Sequence, residues 1–203
     1  MKCRGNVNRE RIISEYELRA VAHVKLLIGQ TKKSCTGDIL TDSYYCFTYK
    51  NKNVQTKGSF FCGTHAANHF LTLLGKQPLP LFNPLRSSIG SSGQQSVSTT
   101  HKSKWDPAAK ELYNAINLLI IVWNTNINSI LADIRDNLEK YPSRTPFISK
   151  IKALNTIISK DFKGRTLQVM ISELRKNNPE LRSFSFSHLD LILSSEGVSS
   201  YFN

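Results

Sequence analysis

The strongest constraint on the fold is a stripe of apolar residues in the second half of the chain. Asp106 suits the cap of a helix and Pro107 its first position, and Pro142 follows the end of the stripe. We therefore predict one long helix over residues 107–141, although the polar residues Asn124, Thr125, Asn126 and Asn128 weaken its middle and could break it. The members are separated by steps of three or four residues, the spacing of one helix face: Leu112, Ile116, Leu119, Trp123, Ile127, Ile130, Ile134, Leu138 and Tyr141.

Three shorter helices are predicted to follow the long one along the chain. They begin near Thr145–Pro146, Thr166 and Ser187, where a start signal precedes apolar residues at helical spacing. Four helices with short connections favour an antiparallel bundle over residues 105–203. The apolar stripe is then a core face, and the long helix is also a candidate surface for forming a homodimer.

The first part of the chain has a mixed pattern. Within residues 1–82, SYYCFTYKN and NVQTKGSFFCG are predicted to be two strands, and THAANHFLTLLG a short helix that ends at Gly75. Residues 83–104 are rich in Ser, Gly, Thr and Gln, which predicts a flexible linker or loop. The expected fold class is α+β, mostly α: a small hairpin-plus-helix module at the N-terminus and a C-terminal helical bundle with one long helix.

Positive charge is concentrated in this first part. The formal net charge of the chain is +12, and residues 1–82 contain 12 Lys and Arg against 5 Asp and Glu. Such a field favours DNA, RNA or an acidic protein as a partner, whereas a basic surface that only keeps the protein in solution is the alternative. The residues expected to contact phosphates or stack on bases are Lys32, Lys33, Lys50, Lys52, Lys57 and Tyr49, with Tyr44 and Tyr45 as other stacking candidates.

A cysteine and a histidine lie close together in the sequence, where the second predicted strand ends and the short helix begins. Cys62 and His65 are three residues apart at the first helical turn, so both lie on one face, and the helix start favours a thiolate. Thiolate and neutral imidazole are ligands that zinc prefers. Cys35 is the third candidate ligand, and the fourth remains open among Cys46, His69, Asp38 and His23.

The order of cysteine turn, hairpin and helix over residues 33–75 resembles a treble-clef zinc finger. The matching residues are Cys35 in the turn and Cys62 and His65 at the helix start. The resemblance implies a structural zinc ion. In the alternative reading no metal is bound, Cys46 and Cys62 are buried as small hydrophobic residues, His65 lies on the surface and His69 is a core residue.

The chain carries no apolar run that could span a bilayer, because its longest, Leu118–Trp123, has six residues. A charged start without an apolar signal core predicts a cytoplasmic protein, whose cysteines would be ligands or buried thiols rather than disulfides.

Three functions are consistent with these features, and none rests on a P-loop, a G-x-S-x-G or an H-E-x-x-H motif. The first is a non-enzymatic nucleic-acid-binding protein with a structural zinc site and a helical domain for dimerisation or recruitment. The second is an adaptor or inhibitor, related to phage, mobile elements or defence, that binds an acidic protein. The third is a metal-dependent nuclease of the His-Me type, whose helix half Asn68 and His69 could mimic; whether the chain is an enzyme therefore stays open.

Overall fold

The computed structural model of the protein describes residues 1–86, 105–125 and 129–203, with the side chain of residue 129 left out. Residues 87–104 of the predicted linker and Ile127 of the predicted apolar stripe lie outside the described residues. The described part is α+β, with seven helices and two small antiparallel sheets. Its elements in chain order are α1 Asn6–Glu15, β1 Tyr16–Lys25, β2 Lys32–Lys33, β3 Ile39–Leu40, β4 Ser43–Asn51, β5 Lys57–Cys62, α2 Thr64–Leu74, α3 Pro107–Trp123, α4 Ser129–Lys140, α5 Ile148–Ile158, α6 Leu167–Asn177 and α7 Ser187–Ser195.

The described residues form two compact units. The first unit comprises Met1–Asn83 and Ile120–Asp133, and the second comprises Pro84–Leu119 and Ile134–Asn203. The first unit therefore contains residues of α3 and α4 that the sequence analysis assigned to the C-terminal domain.

A three-stranded antiparallel sheet organises the first unit, in the order β1-β4-β5. Because side chains alternate along a strand, Phe47 of β4 shares a face with its register partners Ala20 and Phe60. This face forms an aromatic core with α2, in which the ring of Phe70 lies 5.5 Å from that of Phe47. The opposite face carries polar side chains of all three strands, among them Arg19, Thr48 and Ser59, and becomes the candidate site.

The predicted single long helix is interrupted. Helix α3 ends at Trp123 and α4 begins at Ser129. Asn124 adopts a positive φ of 47°, a left-handed conformation that cannot continue an α-helix and that Asn tolerates better than most residues. Asn124 and Thr125, the first of the polar residues that weaken the stripe, thus coincide with a real helix end.

The second unit shows why its helices begin where they do. The Asp106 carboxylate accepts a hydrogen bond from the Ala109 backbone N–H at 2.9 Å, and the Thr166 hydroxyl accepts one from Val169 at 3.4 Å. Both contacts satisfy N–H groups that have no acceptor within their helix.

Of the described helices, none combines the length and the apolar character needed to cross a membrane.

Candidate functional site

Cys35 is bonded to Cys3 in a disulfide, with the two Cα atoms 5.3 Å apart. The expectation that Cys35 is a free thiolate ligand is therefore corrected. Backbone hydrogen bonds bring the two residues together, because Cys3 N donates to Cys35 O at 3.0 Å and Cys35 N donates to Phe61 O at 2.7 Å. The spacing of the cysteines along the sequence contains no trace of this pairing.

Cys46 and Cys62 are buried thiols that form no disulfide within the described residues, and they lie on opposite faces of the sheet. Burial raises the pKa of the Cys62 thiol to about 12, and nearby Cys46 adds to the rise, while Arg9 acts in the opposite direction. The helix start was expected to favour a thiolate here, but desolvation outweighs it and keeps the thiol protonated near neutral pH.

Of the three histidines among the candidate ligands, two have other hydrogen-bond partners. His65 is exposed at the first turn of α2, whereas Cys62 is buried. His69 Nδ1 lies 3.3 Å from Arg9 Nη1 and accepts its hydrogen bond, since a guanidinium can only donate. His23 Nδ1 donates to Leu79 O at 3.1 Å.

Asp38 forms an ion pair with Arg4 at 2.6 Å and accepts a hydrogen bond from the Thr36 hydroxyl at 2.7 Å. The Thr36 bond and the Arg4 charge hold the pKa of Asp38 below its usual range. The structure does not bring the predicted zinc ligands together: across the described ranges, no three His, Cys, Asp or Glu side chains are grouped so that they could hold a metal ion.

Two residues of the predicted nucleic-acid set do not face solvent as expected. Lys32 is buried, and its Nζ donates to Asn124 O at 2.7 Å and lies 4.6 Å from the centre of the Phe61 ring. Burial lowers the pKa of Lys32. Tyr49 belongs to the core-facing side of β4, where its ring meets Tyr16 edge-on at 5.4 Å. Tyr44 and Tyr45, the other stacking candidates, are buried.

The predicted lysines Lys33, Lys50, Lys52 and Lys57 are exposed. Lys52 donates to Ile13 O at 2.9 Å, which ties it to the end of α1. Lys50 and Lys57 are direct register partners on β4 and β5, so the sheet places them side by side. Of the predicted set, these two are the ones that the sheet brings together.

A cleft of about 750 Å³ opens beside this lysine pair, on the polar face of the sheet. Thr48 and Ser59, the next register pair, contribute hydroxyl groups to it. The full lining is Glu17, Leu18, Arg19, Thr48, Tyr49, Lys50, Lys57, Gly58, Ser59, Ala132 and Asp133.

Opposite charges partly balance within this sheet cleft. Arg19 forms an ion pair with Asp133, and Glu17 is the register partner of Lys50 on β1. Lys57 sits on an outer strand and pairs in register only with Lys50. The positive side of the cleft is therefore the β4–β5 side.

Sequence reasoning missed Arg19, Thr48, Ser59 and Asp133. The hairpin register could have identified Thr48 and Ser59, because residues two positions before Lys50 and two after Lys57 share its face. Asp133 comes from α4, far along the chain, and no local signal connects it to the hairpin.

One family model matches residues 1–197, and its description is "Uncharacterised conserved protein UCP028583". The match covers nearly the whole chain, so the protein belongs to this family. No curated protein and no solved structure matches it.

Proposed function

We propose that this member of the UCP028583 family binds nucleic acid through the backbone phosphates, which contact the β4–β5 side of the sheet cleft. The observation that carries the proposal is the register pairing of Lys50 with Lys57. Neighbouring strands are about 4.8 Å apart, and like charges placed directly opposite destabilise a sheet. A phosphate between the two ammonium groups converts this repulsion into attraction.

The surroundings of the pair suit a phosphodiester chain. The hydroxyls of Thr48 and Ser59 offer neutral hydrogen bonds next to the two charges. No side-chain pattern in the cleft matches the edges of particular bases, so binding is expected to depend on backbone and shape rather than sequence. The excess of 12 Lys and Arg over 5 Asp and Glu in residues 1–82 supports the same class of partner.

The test compares two double variants of the full chain. Lys50→Gln/Lys57→Gln removes the pair, and Lys150→Gln/Lys160→Gln removes two exposed charges from the second unit. Binding of labelled single-stranded RNA, single-stranded DNA and duplex DNA is measured by fluorescence anisotropy over a range of salt concentrations. The first variant is expected to bind roughly tenfold more weakly and to lose about 0.7–0.9 from the slope of log K against log salt, since the phosphate held between the two lysines is no longer neutralised.

Equal binding by the two variants would contradict the sheet cleft as the interface. A protein that binds none of the three nucleic acids, yet forms a stable complex with an acidic protein through the same lysines, would favour the adaptor or inhibitor function instead.

A further inference from the structure

A second cleft lies at the start of α2 in the first unit and shares no residue with the sheet cleft. Its volume is about 270 Å³. Three separate parts of the chain meet there: the segment around α1, the turn between β2 and β3, and the first turn of α2. The residues that line it are Arg4, Arg9, Thr36, Asp38, Leu40, Gly63, His65 and Ala66.

Arg9 is the unusual member of this α2 cleft. Only 6% of the residue is exposed, yet the acceptors of its guanidinium are all neutral. Nε donates to Cys3 O at 3.1 Å, and Nη1 lies 3.3 Å from both Asn6 Oδ1 and His69 Nδ1. Within the described part of the chain, Arg9 has no carboxylate partner and its Nη2 makes no hydrogen bond. A buried charge without a counter-ion is costly, and an anion in the cleft would remove that cost.

The beginning of α2 supplies further donors. Gly63 occupies the N-cap position, no side chain caps the helix, and the first turn contains no acidic residue. The backbone N–H groups of Thr64, His65 and Ala66 therefore have no acceptor within the helix, and the positive end of the helix dipole lies at the cleft.

The one acidic group in the lining is already neutralised. Asp38 is engaged by Arg4 and by the Thr36 hydroxyl, as described above. Arg9, the amides of α2 and the exposed His65 are therefore the groups left to receive a ligand. They come from different elements, which suits a tetrahedral anion with oxygens on several sides.

From this arrangement we infer that the α2 cleft binds a phosphate group that carries two negative charges, either inorganic phosphate or a terminal phosphate monoester. The site does not depend on the nucleic-acid interface, because the two clefts share no side chain. Binding here needs no bond to form or break.

The test uses the full chain and two-dimensional NMR of its backbone amides during titration with inorganic phosphate. The amides of residues 64–66 are expected to shift in the wild type. Arg9→Met keeps the volume of the side chain but removes its charge, and is expected to weaken binding at least tenfold. Arg11→Met removes an exposed charge from the same helix and is expected to leave binding unchanged.

A second variant keeps Arg9 intact. Gly63→Asp places a carboxylate at the N-cap, where it accepts the helix N–H groups itself and repels an anion. Its Cβ would lie 3.2 Å from Cδ2 at the end of the Leu40 side chain, which can move. This variant is expected to lose the phosphate-induced shifts even if Arg9→Met fails to fold.

Two oligonucleotides of one sequence, with a 5′-phosphate or a 5′-hydroxyl, identify the source of the phosphate. Tighter binding of the phosphorylated form, lost in Gly63→Asp, assigns a nucleic-acid end; a response to inorganic phosphate alone assigns a small phosphate ligand. Wild-type amides 64–66 that respond to neither, or a Gly63→Asp protein that binds as well as the wild type, would overturn the inference.

Discussion

Each unit buries an arginine, and the two arginines have very different surroundings. Arg135, in the second unit, is fully buried and donates to Glu139 Oε1 at 2.9 Å, with Asn117 Oδ1 and the Tyr113 hydroxyl each at 3.3 Å. Arg9, in the first unit, is buried almost as deeply but meets only neutral acceptors.

The difference separates a structural charge from one that is available to a ligand. The positive charge of Arg135 is neutralised by the carboxylate of Glu139 on the same helix, so the protein itself compensates the cost of burying this arginine. Arg9 has no carboxylate partner among the described residues, and its positive charge acts on Cys62, where it opposes the burial-driven rise in the pKa of the thiol. Similar burial therefore has opposite implications for binding.

The largest expected effect comes from making the same substitution at both arginines. Arg135→Met is expected to lower the free energy of unfolding by about 3–5 kcal/mol at pH 7, because it leaves the partly buried Glu139 carboxylate without its cationic partner. Arg9→Met is expected to change it by less than about 1 kcal/mol in phosphate-free buffer, since the loss of hydrogen bonds to neutral acceptors is offset by removal of an uncompensated buried charge. Urea denaturation of both variants measures the difference.

The pH dependence of the stability of Arg135→Met provides an internal check on this comparison. Burial raises the pKa of Glu139 and Arg135 lowers it, so removal of Arg135 raises it further. The folded variant then binds a proton more readily than the unfolded chain, and its stability increases as the pH falls from 7 towards the ordinary range of a glutamate. If Arg135→Met lowers the free energy of unfolding as much at pH 5 as at pH 7, the result would contradict the role assigned to Glu139.

A smaller effect is expected from the disulfide, which lies beside Arg9. The Cys3–Cys35 bond spans 32 residues, and its removal is expected to cost about 2–4 kcal/mol, mainly through the greater freedom of the unfolded chain. The variant Cys3→Ala/Cys35→Ala should show this loss and should not respond to dithiothreitol, whereas the wild type should. It should also bind phosphate more weakly, because the bond joins the segment that carries Arg9 to the turn that carries Thr36. Unchanged phosphate binding would show that hydrogen bonds alone hold the α2 cleft together.

The smallest expected effect is on the chemical reactivity of the Cys62 thiol. With a pKa of about 12, its thiolate fraction at pH 8 is on the order of one in ten thousand, so iodoacetamide should leave native Cys62 unmodified. Arg9→Met should raise the pKa further and delay modification to a still higher pH. Mass spectrometry of the native protein after labelling at several pH values measures this. In denaturant, the thiols of Cys46 and Cys62 should both react. Rapid labelling of native Cys62 at pH 8 would show that it is less buried than described.

The local elements of this fold could be predicted from the sequence, whereas the contacts between distant segments could not. The first predicted hairpin strand matches β4, and the predicted helix with Gly75 at its end matches α2, because alternation and cap residues are local signals. The break after Trp123 coincides with the polar residues that weakened the stripe. The pairing of Cys3 with Cys35 depends on where the chain folds back, so spacing suggested a metal ligand instead. The burial of Lys32 likewise depends on Asn124, more than ninety residues away.

The strand order of the sheet has one further consequence. β5 lies at an edge of its sheet, and although the Phe61 carbonyl already accepts from Cys35, backbone groups at the Lys57 end of an edge strand can pair with another copy of the chain. Lys57, exposed on that strand, is the kind of residue that discourages such addition, because a second copy would bring a second charge against it. Neutralising it therefore also removes a barrier to self-association, and light scattering belongs beside every measurement on a Lys57 variant.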